Sequence, residues 1–228
     1  MYIINHNNLI IKVIVIDTNI DQTKILIILG CGGHSKVVTD VAEAVGFKNI
    51  FYLDKNFKES FLGKKVFKNI EENFNGYFFV AIGDNLLREK VYRKFSESHI
   101  FAKGISLIHP TSFFSKKATI QEGSIVMPLC VVNAGAKISK GVIVNSATVV
   151  EHDVCLSEFC SLAPRVVIGG NTFVGIRSAI SIGATISNGI NIGNDVIVGG
   201  SSFVLKNINS NIISYGVPAK TIKKNSKR

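Results

Sequence analysis

From Ile108 onward one apolar residue recurs every six positions. The series reads Ile108, Phe114, Ile120, Val126, Val132, Ile138, Val144, Val150, Leu156, Leu162, Ile168, Val174, Ile180, Ile186, Ile192, Val198 and Val204, without a slip. An α-helix repeats every 3.6 residues and a simple amphipathic strand every two, so neither produces this ladder. A hexapeptide period marks a parallel β-helix, in which six residues make one flat strand and one corner. The residue two before each rung is small or β-branched through much of the run: Ala118, Ser124, Cys130, Ala136, Val142, Thr148, Val154, Cys160. Three after it turn formers recur: Gly123, Gly135, Gly141, Asp153, Asn171, Gly183, Gly189, Asp195.

Ahead of the ladder the pattern changes. Lys24 to Gly30 is an apolar run without alternation, which reads as a buried parallel strand. An amphipathic helix carrying Val37, Val38, Val41, Ala42 and Val45 follows and closes at Gly46. Asn49 to Leu53, Lys65 to Phe67 and Tyr77 to Ile82 read as further strands, and Asp84 as the cap of a helix from Asn85 to Ser98. Ile100 to Gly104 reads as the last strand, and Pro110 marks the joint to the coil. The expected fold class is therefore α/β plus all-β. An N-terminal extension (1–23, with one strand at Leu9 to Ile16) precedes a small Rossmann-like domain (24–105). A parallel β-helix (106–214) and a basic tail (215–228) complete the chain.

Ligands of such an α/β domain are expected at the carboxyl ends of its strands. Gly30-x-Gly32-x-x-Ser35 approximates a dinucleotide fingerprint, with Asp54 at the distance of a ribose partner. A dehydrogenase would need a substrate domain that a β-helix does not supply. What the glycines do imply is that backbone N–H groups at a helix N-terminus are free to approach an anion, with Gly32, Gly33 and His34 as contacts.

The chain has 26 Lys and Arg against 16 Asp and Glu, a net charge of +10. No basic stripe interleaved with aromatics accompanies it, so nucleic acid is not the expected partner. A solvated lysine-rich surface or a positive field for small polyanions accounts for the charge. The four cysteines have no metal-type or disulfide spacing, and Cys130 and Cys160 fall on inward positions, so buried thiols in a reducing cytoplasm are expected. No apolar run nears the ~20 residues that span a bilayer, so neither a signal peptide nor stable membrane insertion is expected.

Of five histidines (His6, His34, His99, His109, His152) only His152 lies on the regular coil. It occupies a corner, two residues after the inward Val150, between Glu151 and Asp153. Corners point outward, and an imidazole there is suited to take a proton from a nucleophile at neutral pH. A carboxylate would fix its tautomer and raise its basicity; Glu151 and Asp153 both remain open for that part. Asn145, on the preceding corner, is a candidate for a polar group of the substrate. Two rivals fare worse: no spacing rule brings Cys155 to His152 for thiol catalysis, and a zinc site needs three imidazoles where the coil has one. No metal is expected.

Several segments resemble the bacterial hexapeptide sugar acyltransferases of the sialic acid O-acetyltransferase type, including N-acetyltransferases of nucleotide-linked 4-amino-sugars such as the bacillosamine-pathway enzyme. They are Ile-Leu-Gly-Cys-Gly-Gly-His-Ser (28–35), Ala-Ile-Gly-Asp-Asn (81–85), His-Pro-Thr (109–111), Val-Asn-Ser-Ala-Thr-Val-Val-Glu-His-Asp (144–153) and Gly-Val-Pro-Ala-Lys (216–220). The resemblance covers about residues 24 to 220. It implies a left-handed coil, a homotrimer, and acetyl-CoA lying in clefts between neighbouring coils. It implies His152 as general base tuned by Asp153, with Gly32, Gly33, His34, Asp54 and Lys55 lining a nucleotide-sugar pocket. Ser161, Ile176 and Gly200 match positions that approach acetyl-CoA. Relatives often carry a second His where this chain has Ser161, in a run that here reads Ser161-Leu162-Ala163-Pro164. They also have about one more hexapeptide after that Pro.

The function these features imply is transfer of an acetyl group from acetyl-CoA to the amine of a nucleotide-activated amino-sugar, by direct attack, for surface glycan biosynthesis. O-acetylation of a sialic-acid-like sugar is the nearest alternative, and a non-catalytic nucleotide-sugar-binding subunit is the alternative of another class.

Overall fold

The computed structural model describes residues 20–56 and 59–226. The strand expected at Leu9 to Ile16 lies outside the described residues. The N-terminal unit comprises β1 (Leu26–Leu29), α1 (Gly33–Val45), β2 (Ile50–Leu53), β3 (Ser60–Phe61), β4 (Lys64–Phe67), β5 (Tyr77–Val80), α2 (Asn85–Ser98) and β6 (Lys103–Gly104). Its sheet runs β3-β4-β2-β1-β5-β6, parallel except for the β3–β4 pair. All residues of β1 and β5 are buried, as strands covered on both faces must be. Gly46 ends α1 at φ 114°, and the Asp84 carboxylate caps α2 by accepting from the Leu87 N–H at 2.8 Å. The last strand is shorter than its sequence suggested: only Lys103–Gly104 pairs with β5, while Ile100 and Phe101 lie exposed.

The coil starts at Leu107–Ile108 and is built from two-residue strands stacked into three parallel sheets. Ile125 pairs with Ile143, Val131 with Val149 and Lys137 with Cys155, so each strand meets the one eighteen residues on. It is a left-handed β-helix of triangular section. The first sheet holds Leu107–Ile108, Ile143–Val144, Ser161–Leu162 and their fellows. The second runs from Phe113–Phe114 to Phe203–Val204, and the third from Thr119–Ile120 to Asn191–Ile192. From Ile120 to Val204 the ladder residues are buried; Ile108 and Phe114 at the open first turn are only half so. The turn-former position of each corner takes a left-handed backbone, from Gly123 and Gly135 through Asp153 (φ 60°) to Asp195 (φ 54°).

The outward residues of the second sheet are Phe113, Val131, Val149, Val167, Thr185 and Phe203, an apolar face left open in the single chain. The first strands of the first sheet are covered by the N-terminal unit, whose α1 shares one core with Leu107 and Ile125, while Ser161, Ala179 and Ile197 further along are half-exposed. Beyond the ladder, Ile212–Gly216 continues the first sheet beside Ile197–Val198 and folds back on Ala219–Lys224 as an antiparallel hairpin. The tail expected from residue 215 thus begins inside a strand, because Gly216 and Ala219 pair across a two-residue loop and the chain reverses onto the last coil.

Candidate active site

The corner between the second and third sheets carries His152. His152 and Asp153 are open to solvent, with side chains 57% and 59% exposed, and the Nδ1–H of His152 donates to Asp153 Oδ2 at 2.9 Å. A carboxylate only accepts, so Nδ1 holds the proton and Nε2, which lies over Gly170 of the next turn, keeps its lone pair. Asp153 reaches Nδ1 because its backbone is left-handed, which turns its side chain back toward the preceding residue. Glu151 points elsewhere: its Oε2 accepts from Asn133 Nδ2 at 3.0 Å, one turn below. Of the two flanking carboxylates, Asp153 is the one on the imidazole.

Two glycines make room for the pair, and neither was singled out in the sequence for this purpose. A Cβ on Gly170, one turn above, would lie 2.6 Å from His152 Nε2 and 2.7 Å from Cε1. A Cβ on Gly135, one turn below, would collide with Asp153 Oδ1. The eighteen-residue register is the signal that finds them, since Asp153 N–H donates to Ala134 O and Asn171 N–H to His152 O.

A second set of candidates sits at the carboxyl edge of the N-terminal sheet. Gly30 (φ 103°) turns the chain so that α1 begins at Gly33, and the Ser35 hydroxyl donates to Gly30 O at 2.8 Å. Added Cβ atoms at Gly32 and Gly33 would touch nothing within 4 Å, so open space lies beside the first N–H groups of α1. Asp54 braces the turn: Oδ2 accepts from Cys31 N–H at 3.0 Å and Oδ1 from Asn56 N–H at 2.9 Å. Lys55 is exposed next to it. His34 has a fully buried Nε2 without a hydrogen-bond partner, and burial, reinforced by the Arg88 charge, lowers its imidazole to about 4. It is a neutral group at pH 7.

The remaining candidates are spread round the coil. Asn145 and Gly200 lie on the corner between the first and second sheets, where Asn145 Oδ1 accepts from Ser146 N–H at 2.8 Å. Ser161 faces out from the first sheet between Ile143 and Ala179. Ile176 is on the corner between the third and first sheets, its N–H donating to Asn194 Oδ1 at 2.8 Å. The glycine turn adjoins that same corner through Arg88. In one chain, then, His152 stands on the edge opposite the first sheet, away from Asn145, Ser161, Ile176 and Gly200. Burial raises Cys130 to about 11 and Cys160 to about 12, so neither is a thiolate at neutral pH. Among the described residues no group of three or more His, Cys, Asp or Glu is placed to hold a metal, and no helix is long and apolar enough to cross a membrane.

A left-handed hexapeptide coil with a histidine–aspartate pair on a corner, joined to a small parallel α/β domain, defines a hexapeptide acyltransferase. Residues 25–95 match the model of the PglD N-terminal domain family. The acetyltransferase domain of PglB from Neisseria gonorrhoeae FA1090, solved with acetyl coenzyme A, is 32% identical. The match covers 87% of this chain and 99% of that one at a TM-score of 0.82. A histidine-to-asparagine variant of perosamine N-acetyltransferase from Caulobacter crescentus, solved with CoA and GDP-perosamine, is also 32% identical. There the match covers 88% and 97% of the two chains at 0.83. WeeI from Acinetobacter baumannii AYE, 20% identical over 87% and 99% at 0.71, shares the fold. The chain belongs to the family of hexapeptide-repeat sugar acyltransferases that includes these nucleotide-sugar N-acetyltransferases.

Proposed function

We propose that this protein transfers the acetyl group of acetyl-CoA to the amine of a nucleotide-activated amino-sugar such as a UDP-4-amino-4,6-dideoxy sugar, with His152 as general base. The observation that carries the reading is the His152–Asp153 pair, whose Nε2 lone pair is free on an exposed corner. The acceptor amine attacks the thioester carbonyl carbon and the C–N bond forms. Its proton passes to Nε2, the C–S bond breaks, and the proton leaves with the CoA thiolate. Asp153 stabilises the imidazolium formed in between. A backbone N–H of the coil at the glycine corner beside His152 stabilises the developing oxyanion; the Gly169 N–H is already given to Ile186 O. The open helix N-terminus at Gly32 and Gly33, with His34, Asp54 and Lys55, receives the nucleotide sugar. That the relatives were solved with acetyl-CoA, or with CoA and a nucleotide sugar, supports both substrates.

The acting unit is a homotrimer with its sites between subunits. Support comes from the apolar face of the second sheet, which a threefold assembly would bury. With these faces turned to the axis, the corner of His152 meets the neighbour's corner of Asn145 and Gly200. The neighbour's first sheet, bearing Ser161 and covered at its first strands by its N-terminal unit, lies just beyond. The setting that fits is cytoplasmic assembly of a surface glycan precursor, consistent with four free thiols.

The test incubates the protein with acetyl-CoA and UDP-, dTDP-, GDP- and CMP-linked amino-sugars and follows thiol release. Release with one nucleotide amino-sugar, giving a product stable to mild alkali, supports N-acetylation. An alkali-labile product means an ester, and silence across the panel means a binding subunit. His152→Ala should lower kcat by roughly 10²–10⁴ with the fold intact; near wild-type turnover would end the assignment of the base.

A further inference from the structure

The N-terminal unit and the coil are locked by reciprocal insertion. From the coil, Phe159 occupies a left-handed corner position (φ 56°) and is fully buried in the cluster of Ile27, Phe78, Tyr92 and Phe95. From the other side, Arg88 of α2 is only 1% exposed and its guanidinium is spread over backbone carbonyls. Nη1 donates to Ile82 O and Gly83 O, both at 3.1 Å; Nε donates to Gly141 O at 2.9 Å. Nη2 donates to Asn85 Oδ1 and Phe159 O, both at 2.8 Å. Asn85 Nδ2 in turn donates to Arg177 O at 2.9 Å. Together the two side chains grip three stacked turns of one corner, at residues 141, 159 and 177.

Burying a cation costs several kcal/mol, and apolar residues of similar volume often serve stability equally well. A guanidinium retained here suits geometry, because its five fixed donors set several carbonyls relative to one another. Those carbonyls belong on one side to the coil and on the other to the 82–83 segment, which walls the glycine turn. Ser35 Oγ donates to Ala81 O at 3.4 Å, and a Cβ on Gly30 would lie 3.6 Å from Ile82 Cγ1.

We infer that Arg88 is a positioning residue for the acceptor: it fixes the wall of the nucleotide-sugar pocket against the coil, so that the acceptor amine is held at a set distance from the acetyl donor. This rests on the N-acetyltransferase reading above. Arg88→Lys keeps the charge and offers three donors from one point, so the wall should slacken while the fold holds. Measured on the full chain with acetyl-CoA and the wild type's preferred nucleotide amino-sugar, kcat/KM for the sugar should fall about 10–100-fold, as expected for ~1 Å of misplacement. KM for acetyl-CoA should stay within about twofold, and the unfolding midpoint within a few degrees. Arg88→Met removes the charge as well; the His34 imidazole, followed by NMR titration, should then titrate at higher pH than in the wild type or Arg88→Lys. Wild-type sugar kinetics in Arg88→Lys, or equal losses toward both substrates, would overturn the inference. If Arg88→Met does not fold, Arg88→Lys alone decides. A wild type that acetylates nothing refutes the enzymatic reading; an active wild type with an equally active Arg88→Lys refutes this one.

Discussion

Replacing Gly170 by alanine tests the corner geometry directly. Gly170 is outside the left-handed region, so alanine adds no backbone strain, but its Cβ would stand 2.6 Å from His152 Nε2. Restoring ordinary contact at 3.4 Å requires the imidazole to retreat by about 0.8 Å. The imidazole is exposed and can swing away, so the coil should survive; glycine-to-alanine changes at compatible sites commonly stabilise by about 0.4–1 kcal/mol. Proton transfer is far less tolerant, and misplacement by about 1 Å is worth on the order of 10² in rate. Gly170→Ala should therefore lower kcat about 30–100-fold, read as thiol release at saturating acetyl-CoA and acceptor, with an unchanged circular dichroism spectrum and an unfolding midpoint no lower than that of the wild type. A double mutant sharpens the test. If the glycine acts through the imidazole, adding Gly170→Ala to His152→Ala should cause no further loss. Wild-type kcat in the single variant, or additive losses in the double, would refute the reasoning.

Asp153→Asn should lower kcat about 10²–10⁴-fold, since an amide no longer stabilises the imidazolium and can hold the wrong tautomer; an unchanged kcat with acetyl-CoA and nucleotide amino-sugar would remove Asp153 from the site. If the proposed trimer forms, Val149→Asp on the open face of the second sheet should give monomers in light scattering while the coil spectrum is kept, and on the shared-cleft proposal those monomers should be inactive. His34, lowered by burial first and the Arg88 charge second, makes stability depend on pH. The unfolded chain takes up the proton first, so stabilisation complete above pH ~6.5 is lost as pH falls toward 4, on the order of 3 kcal/mol. Urea unfolding at pH 7 and 4.5 should show that loss in the wild type and a smaller one in His34→Gln.

The coil was legible because an inward position has few options: from Ile120 to Val204 every rung of the ladder is buried. The phase of that ladder also put His152 on an exposed corner. The partner of His152 was not legible from spacing, since Glu151 and Asp153 flank it equally and only the left-handed backbone at 153 turns one carboxylate onto Nδ1. The part Gly135 and Gly170 play beside the pair was not legible, because their contacts with Asp153 and His152 run eighteen residues across the stack. Phe159 did leave a sign. A large aromatic in a left-handed corner position (φ 56°), which glycine or asparagine fits best, costs roughly 1 kcal/mol of strain. What offsets it is burial among Tyr92 and Phe95, contacts more than sixty residues away in sequence.

The separation of the candidate residues round one coil bears on how such a protein works. The triangular section places His152 opposite the first sheet, and the N-terminal unit is anchored by Asn85 and Arg88 to the corner bounding that sheet. Both anchors are buried and many-bonded, which holds the glycine turn on the side of the coil away from His152. A monomer would therefore hold an acceptor and a base that never meet. Three coils closed around their second-sheet faces cure this without moving either element, since the base of each then borders the first sheet and α/β unit of the next. On this reading trimerisation is part of the catalytic geometry as well as burial of apolar surface. A mixed assembly of His152→Ala protomers with protomers disabled in the glycine turn should accordingly recover activity, because some interfaces pair an intact base with an intact pocket. Subunits disabled at both positions in the same chain, mixed with inactive partners of the same kind, should recover none. If mixing the two single defects restores nothing while hybrid trimers demonstrably form, the base and the pocket belong to one chain and the proposed assembly is wrong.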